Sequence, residues 1–227
     1  MKIIPAKTPG FVKHLFPKFV WNINTTKKEL YLTFDDGPTP EITDWVLQTL
    51  KEYNAKATFF CIGKNIESNL DIFESILKDD HSIGNHTYNH SKGWKTKTKA
   101  YIEEIEFTDS VINFQVQNTK LTDLTNLKSN KFFRPPYGKF KSKQSSRLQQ
   151  LNYDIIMWDV LSYDWDKSVS EEGCLNNVIS KAKEGSIIVF HDSVKASRNL
   201  KYTLPKVLDF YSSKGYEFKA ISKSILE

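Results

Sequence analysis

Glu29-Leu30-Tyr31-Leu32-Thr33-Phe34-Asp35-Asp36-Gly37-Pro38-Thr39-Pro40-Glu41 changes period within thirteen residues. Glu29 to Phe34 reads as a strand, two acids follow it, and Gly37-Pro38 turns the chain. Thr39-Pro40-Glu41 then supplies an N-cap, a first-turn proline and a first-turn acid. The helix expected from there to about Tyr53 carries Ile42, Trp45, Val46, Leu50 and Tyr53 at helical spacing, one stripe to be buried. The same strand-then-helix alternation continues outward. Strands are expected at Ala57 to Ile62, Ser82 to Gly84, Lys131 to Arg134, Tyr153 to Asp159, Ser186 to Phe190 and Tyr216 to Ile221. Between them, helical patterns carry Ile72, Phe73, Ile76 and Leu77, run from Thr98 to about Phe114, fall around Gln144 to Leu151, and place Leu175, Val178, Ile179 and Ala182 on one face behind a Ser170 cap. A last helix ends near Gly215. Gln117 to Asn130 is polar and aperiodic, which suggests a surface excursion. Ser186 to Phe190 has the unbroken apolar character of a strand covered on both faces. About seven strands alternating with helices predict an α/β domain with a parallel sheet, open and doubly wound or closed into a barrel. The pattern does not separate these two, but in both the site lies at the C-terminal ends of the strands.

The chain has 227 residues, enough for one domain with a sizeable core, and 39% apolar and 13% aromatic residues exclude a disordered or low-complexity chain. No apolar run approaches the roughly 18–20 residues that cross a bilayer. The net charge of +5 is mild and spread along the chain, so it selects no partner by itself. Cys61 and Cys174 form no CxxC pair and read as buried small side chains. Residues 1–24 read as an N-terminal extension and 25–227 as the domain. The segment from Phe11 to Trp21 is aromatic and basic, but Pro17 and its charges interrupt it and no small-residue cleavage site follows. The expectation is therefore a cytoplasmic protein, with contact of this segment with the cell envelope as the other option.

Chemistry-bearing residues gather behind the strands. Asp35 and Asp36 follow the first; alone they read equally well as a turn, and to meet in one pocket they need the bend at Gly37. His86-Thr87-Tyr88-Asn89-His90 sets two imidazoles four residues apart, the spacing with which one helical turn grips a metal ion, or simply two exposed histidines. Arg134-Pro135-Pro136-Tyr137-Gly138 is either a proline turn or a rigid mount for a guanidinium that holds a carboxylate. Asp164-Trp165 and His191-Asp192 each have a packing or capping reading, and His14 and His81 read as surface or packing residues. Together, however, Asp35, Asp36, His86, His90, Arg134, Asp164, Trp165 and His191 fall behind five different strands, where unrelated residues would scatter over both ends of the sheet. One Asp and two His would give a divalent ion three ligands and leave a position open to water, as in catalytic zinc sites. The same donors suit cobalt, nickel or manganese.

TFDDGP at Thr33 to Pro38, HTYNH at His86 to His90, RPPYG at Arg134 to Gly138, Asp164-Trp165, and IIVFHD at Ile187 to Asp192 together resemble the polysaccharide deacetylase family, the NodB-homology domain of carbohydrate esterase family 4. The resemblance implies a distorted (β/α) barrel and metal-dependent hydrolysis of N-acetyl, or occasionally O-acetyl, groups on a glycan. It further implies that Asp36, His86 and His90 hold the metal and that Asp35, oriented by Arg134, is the general base. His191, tuned by Asp164, is the implied general acid; the Tyr137 backbone amide helps stabilise the oxyanion, and Trp165 and Val189 wall the acetyl pocket. Val189 departs from the leucine common in the family. Ser91-Lys92-Gly93-Trp94-Lys95-Thr96-Lys97-Thr98-Lys99 is a second departure, a basic loop with one tryptophan that reads either as solvated surface or as an aid to an anionic glycan, with Trp94 against the sugar.

The expected partner is an acetylated glycan, with no nucleic acid and a monomeric chain. A catalytically silent carbohydrate-binding protein is the alternative; a binder has no use for Asp35 and His191. Nucleic-acid binding is suggested by charge alone and lacks interleaved basic and aromatic readers.

Overall fold

A computed structural model of the chain describes residues 5–119 and 130–227. Most of the polar stretch expected as an excursion, 120–129, lies outside the described residues, and Gln117 and Asn118 close a long helix. In chain order the elements are α1 (Gly10–Leu15), β1 (Glu29–Asp35), α2 (Ile42–Glu52), β2 (Ala57–Cys61), α3 (Gly63–Ser68), α4 (Leu70–Lys78), β3 (Ser82–Asn85) and α5 (Thr98–Asn118). They continue with β4 (Phe132–Phe133), α6 (Ser142–Gln150), β5 (Asp154–Ile155), β6 (Val160–Leu161), α7 (Glu171–Ile179), β7 (Ile187–His191), α8 (Ser197–Ser212) and β8 (Glu217–Phe218).

Seven parallel strands run in the order β5-β4-β3-β2-β1-β7-β6, with β8 beside β1, and curl into a half-barrel. The period of the central strands separates two cores. Leu30, Leu32 and Phe34 of β1, Ala57 and Phe59 of β2, and Ile188 and Phe190 of β7 face the helices; Phe34 lies 5.1 Å from Phe59 and 5.9 Å from Phe190, ring to ring. Tyr31, Phe60, Ile187 and Val189 fill the concave side with Phe133, Ile155 and Leu161. Asp35 and His191 continue the concave set of β1 and β7, and the register makes them direct neighbours.

Three local expectations are corrected. The first helix is entered at Glu41, whose N–H donates to Asp44 Oδ2 at 3.0 Å; Thr39 contributes its carbonyl to the N–H groups of Ile42 and Thr43 and no side-chain cap. The strand expected over Tyr153 to Asp159 divides into β5 and β6 because the backbone between them bonds elsewhere. Val20 exchanges hydrogen bonds with Ile155 and Met157, and the guanidinium of Arg134 takes the carbonyls of Ile156 and Met157. The strand expected over Tyr216 to Ile221 shortens to β8. Ser170 does cap α7, accepting from Gly173 N at 3.0 Å.

Among the described residues β5 and β6 do not pair with each other, and the N-terminal segment occupies the seam between them. Val20 bridges to Ile156, Lys7 to Val160 and Asn22 to Ser186. Trp21 and Ile23 are buried in the concave core. Asp159, itself buried, receives Lys7 Nζ (2.5 Å), Lys13 Nζ (2.6 Å) and Ser186 Oγ (2.5 Å). Burial opposes ionisation of Asp159, but these three donors outweigh it and hold the carboxyl below its usual range. No helix among the described residues is long and apolar enough to cross a membrane.

Candidate active site

At the C-terminal ends of β1, β3, β4 and β7 a cavity of about 480 Å³ is lined by Asp35, Asp36, His86, His90, Tyr137, Trp158, Leu161, Trp165, Val189, His191 and Lys195. The two adjacent acids share it because Asp36 adopts φ 85° and so abandons the strand's alternation. The turn is locked behind them: Asp192 Oδ1 accepts from Gly37 N at 3.0 Å and Oδ2 from Thr43 Oγ1 at 2.6 Å. A Cβ on Gly37 would lie 1.9 Å from Asp192 Oδ2, so only glycine fits. Burial pushes the Asp192 carboxyl up to about 7.

Arg134 is fully buried, and its donors are spent in four directions. Nη1 meets Asp35 Oδ1 and Thr33 Oγ1, both at 2.7 Å, Nε and Nη2 take two carbonyls, and the guanidinium carbon lies 4.1 Å from the centre of the Phe60 ring. A buried charge is tolerable with this degree of satisfaction, and the pairing fixes the orientation of Asp35.

His86 and His90 do not share a helical turn. They lie on a loop after β3 in which Thr87 has φ 64° and His90 φ 57°. That conformation is held from three sides. Asn85 Oδ1 accepts from Thr87 N (2.9 Å), Glu104 Oε1 of α5 accepts from Asn89 N (2.7 Å) and Ser91 Oγ (3.0 Å), and the N–H groups of Gly63 and Lys64 donate to the Thr87 and Tyr88 carbonyls. The two rings still converge, with Nε2 of His90 and of His86 at 3.3 and 3.8 Å from Asp36 Oδ1.

That carboxylate oxygen is buried without a hydrogen-bond partner among the described residues. Burial lowers the pKa of His86 to about 4 and also lowers that of His90, so His86 is neutral at pH 7. His86 Nδ1 donates to the Arg134 carbonyl at 2.8 Å, which leaves the Nε2 lone pair on the Asp36 side. An orphaned carboxylate oxygen beside imidazole lone pairs is an arrangement that a cation resolves. The ligand atoms of Asp36, His86 and His90 lie within 4.8 Å of one another, and this donor set fits a divalent ion.

Across the cavity, His191 Nδ1 is 2.9 Å from Asp164 Oδ1, and Asp164 Oδ2 accepts from the His191 N–H at 2.7 Å. Burial works against the imidazolium, but Asp164, with Asp36 and Asp35 behind it, raises its pKa to about 9. Trp165 packs on His191 with ring centroids 4.6 Å apart. The Arg134 turn sets Tyr137 at φ 61° and half-exposed, and Gly138 at φ 62° where a Cβ would lie 2.2 Å from Trp158. Trp94 stands outside the cavity lining and meets Tyr137 edge-on at 5.4 Å. The sequence-derived residues are thus brought to one place, with Trp94 on its rim. Sequence reasoning missed Thr33, Asn85, Glu104, Trp158, Leu161, Lys195 and the locking role of Asp192. Only Thr33 and Asp192, at the ends of two of the quoted motifs, carried any signal. His81 packs against Phe59 and accepts from Ala57 N.

The sequence profile of the family described as Polysaccharide deacetylase matches residues 22–156. A peptidoglycan-N-acetylglucosamine deacetylase of Bacillus cereus is 38% identical over 167 residues, 74% of this chain and 57% of the relative's length. A second enzyme of that name from the same organism is 29% identical over 205 residues, 89% and 91% of the two chains. The chain thus spans little more than half of the first relative and most of the second. Among solved structures, the Bc1960 peptidoglycan N-acetylglucosamine deacetylase superposes with a TM-score of 0.81 at 31% identity, covering 94% of this chain and 95% of the other.

Proposed function

The chain belongs to the polysaccharide deacetylase family, and from that premise we propose that it hydrolyses the N-acetyl groups of a glycan containing N-acetylglucosamine. The observation that carries the reading is the pairing of two oppositely prepared groups in one cavity, Asp35 held by Arg134 and His191 held by Asp164, beside the Asp36, His86 and His90 donor set. Those three residues would hold a divalent ion, zinc being the first choice, whose positive charge would be available to the acetyl carbonyl and to the attacking water.

The remaining chemistry belongs to the chain's own side chains. Asp35 takes a proton from the attacking water; Arg134 occupies one of its carboxylate oxygens and keeps the other free for that task. The Tyr137 backbone N–H, presented by its left-handed turn, donates to the developing oxyanion. Val189, Leu161, Trp158 and Trp165 enclose the acetyl methyl group and exclude water. His191 gives its proton to the departing nitrogen as the C–N bond breaks, releasing acetate and a free amine. An amine is a poor leaving group without that proton, and Asp164, bonded to Nδ1, keeps the His191 ring protonated below about pH 9.

The relatives' names make peptidoglycan the first substrate to test, and with it action at the cell envelope over the cytoplasmic expectation. The experiment is acetate release and amine formation from peptidoglycan fragments and chitin oligomers, with acetylated xylan as the ester counterpart. Acetate with stoichiometric amine supports the reading. Glycan binding without acetate from any of the three supports the silent carbohydrate-binding alternative.

A further inference from the structure

An aromatic row leads outward from the donor set. The Tyr137 ring centre lies 4.6 Å from that of His90, and Trp94 follows at 5.4 Å, nearly perpendicular. A lysine stands over each outer ring, Lys92 Nζ at 5.6 Å from the centre of Tyr137 and Lys139 Nζ at 5.3 Å from that of Trp94. Both lysines are exposed, and neither has a carboxylate within ion-pair distance among the described residues. Of the other lysines nearby, Lys99 pairs with Glu103 and Lys141 Nζ donates to the Thr96 carbonyl at 2.7 Å, while Lys95 and Lys97 stand over no aromatic ring among the described residues.

The backbone that carries this row is built, not loose. Gln144 Nε2 donates to the Gly93 carbonyl at 3.0 Å, a Cβ on Gly93 would lie 2.8 Å from Phe140, and Ser91 is tied to Thr87 and Glu104. The two ammonium groups therefore project from fixed positions beside two ring faces, next to the cavity in which the acetyl group would sit. Aromatic faces suit the C–H faces of a sugar. Two unpaired ammonium groups at their edges suit an anion carried by that sugar.

We propose that Lys92 and Lys139, with the Trp94 and Tyr137 rings between them, form a subsite for a carboxylate-bearing sugar adjacent to the N-acetylated one. The subsite rests on the deacetylase reading for its purpose, though not for its detection. It makes an acidic acetylated glycan the preferred substrate over a neutral one and assigns the basic loop after His90 to recognition.

The test uses one oligosaccharide in two forms, with N-acetylglucosamine alternating with a carboxylate-bearing sugar, and with each carboxyl reduced to the alcohol. Affinity is measured by calorimetry at low and high salt for the wild type, for Lys92→Met/Lys139→Met, and for Lys201→Met/Lys206→Met on α8 as a control of equal charge. The wild type and the α8 control are expected to bind the acidic form about tenfold more tightly at low salt, and the Lys92/Lys139 variant to lose that preference while keeping its affinity for the reduced form. Equal wild-type affinity for the two forms overturns the subsite, as does a loss in the variant that is the same for both. Acetate release from both forms is followed in parallel. Its absence from both contradicts the deacetylase reading alone, because the binding preference is read without turnover.

Discussion

At the scale of single residues, the site divides into groups that must lose protons and groups that must keep them. Burial keeps His86 neutral, and the hydrogen bond to the Arg134 carbonyl holds its proton on Nδ1, as ligation through Nε2 requires. His86→Ala is therefore expected to abolish stoichiometric metal in the purified protein, measured by elemental analysis, while the circular dichroism of the fold is retained; full metal occupancy would contradict the ligand assignment. His191 is the converse case. Its pKa is raised to about 9 by Asp164 against the effect of burial, so the protonated acid persists below that value and is lost as pH rises through it. Removing the carboxylate lowers that pKa, so Asp164→Asn is expected to move the alkaline limb of the kcat profile to lower pH. An unmoved limb would mean that a group other than His191 sets it.

Among the elements, the N-terminal segment is the least expected part of the architecture. It supplies what β5 and β6 lack, a partner across the seam, and Asp159 ties it down through Lys7, Lys13 and Ser186. Asp159→Asn removes one member of a mostly buried ionic cluster; the partial exposure of the lysines moderates the loss to about 2–3 kcal/mol, measurable by urea unfolding. The Asp159 carboxyl titrates below its unfolded value of about 3.9, so its stabilisation is complete above that pH and is lost as pH falls through the folded value. The urea midpoint of the wild type should approach that of the variant as pH falls below about 4. This scale also shows what the sequence could convey. Leu30, Leu32 and Phe34 against Tyr31, Thr33 and Asp35 are a period of two that can be read directly, and the apolar stripe of α2 is equally plain. The division of Tyr153 to Asp159 depended on where distant donors lie, those of Arg134 and Val20, which no local pattern encodes. The expected helical turn at His86 to His90 failed for a related reason. The chain from Thr87 to His90 is shaped by Asn85, Gly63, Lys64 and Glu104, and its left-handed residues are neither glycine nor asparagine, so spacing alone suggested a helix.

For the whole molecule, the curled sheet turns a linear scatter of motifs into one cavity. Asp35 and His191 are 156 positions apart in the chain and adjacent in register, because β1 and β7 are neighbours in the sheet. The residue types at the strand ends were legible from sequence. The supports behind them, Asp192 on Gly37 and Glu104 on Asn89, were not, since each joins elements whose proximity only the fold creates. The proposed ligand set, joining the end of β1 to the loop after β3, would also couple metal to global stability. At one hundred times its dissociation constant the ion is expected to add about 2.7 kcal/mol, a rise of roughly 5–10 °C in Tm for a domain of this size. Chelation should remove that increment in the wild type and leave the Tm of His86→Ala unchanged.

The central claim is that this cavity removes acetyl groups by hydrolysis that needs both the ion and Asp35. It is tested most directly by measuring acetate released from an N-acetylglucosamine oligomer by three preparations, chelated wild type, wild type resupplied with zinc, and zinc-loaded Asp35→Asn of equal metal content. The account predicts acetate from the resupplied wild type alone, with the chelated protein silent and the variant slower by about 10² to 10⁴. Undiminished turnover by Asp35→Asn, or acetate release that is indifferent to chelation, would contradict it.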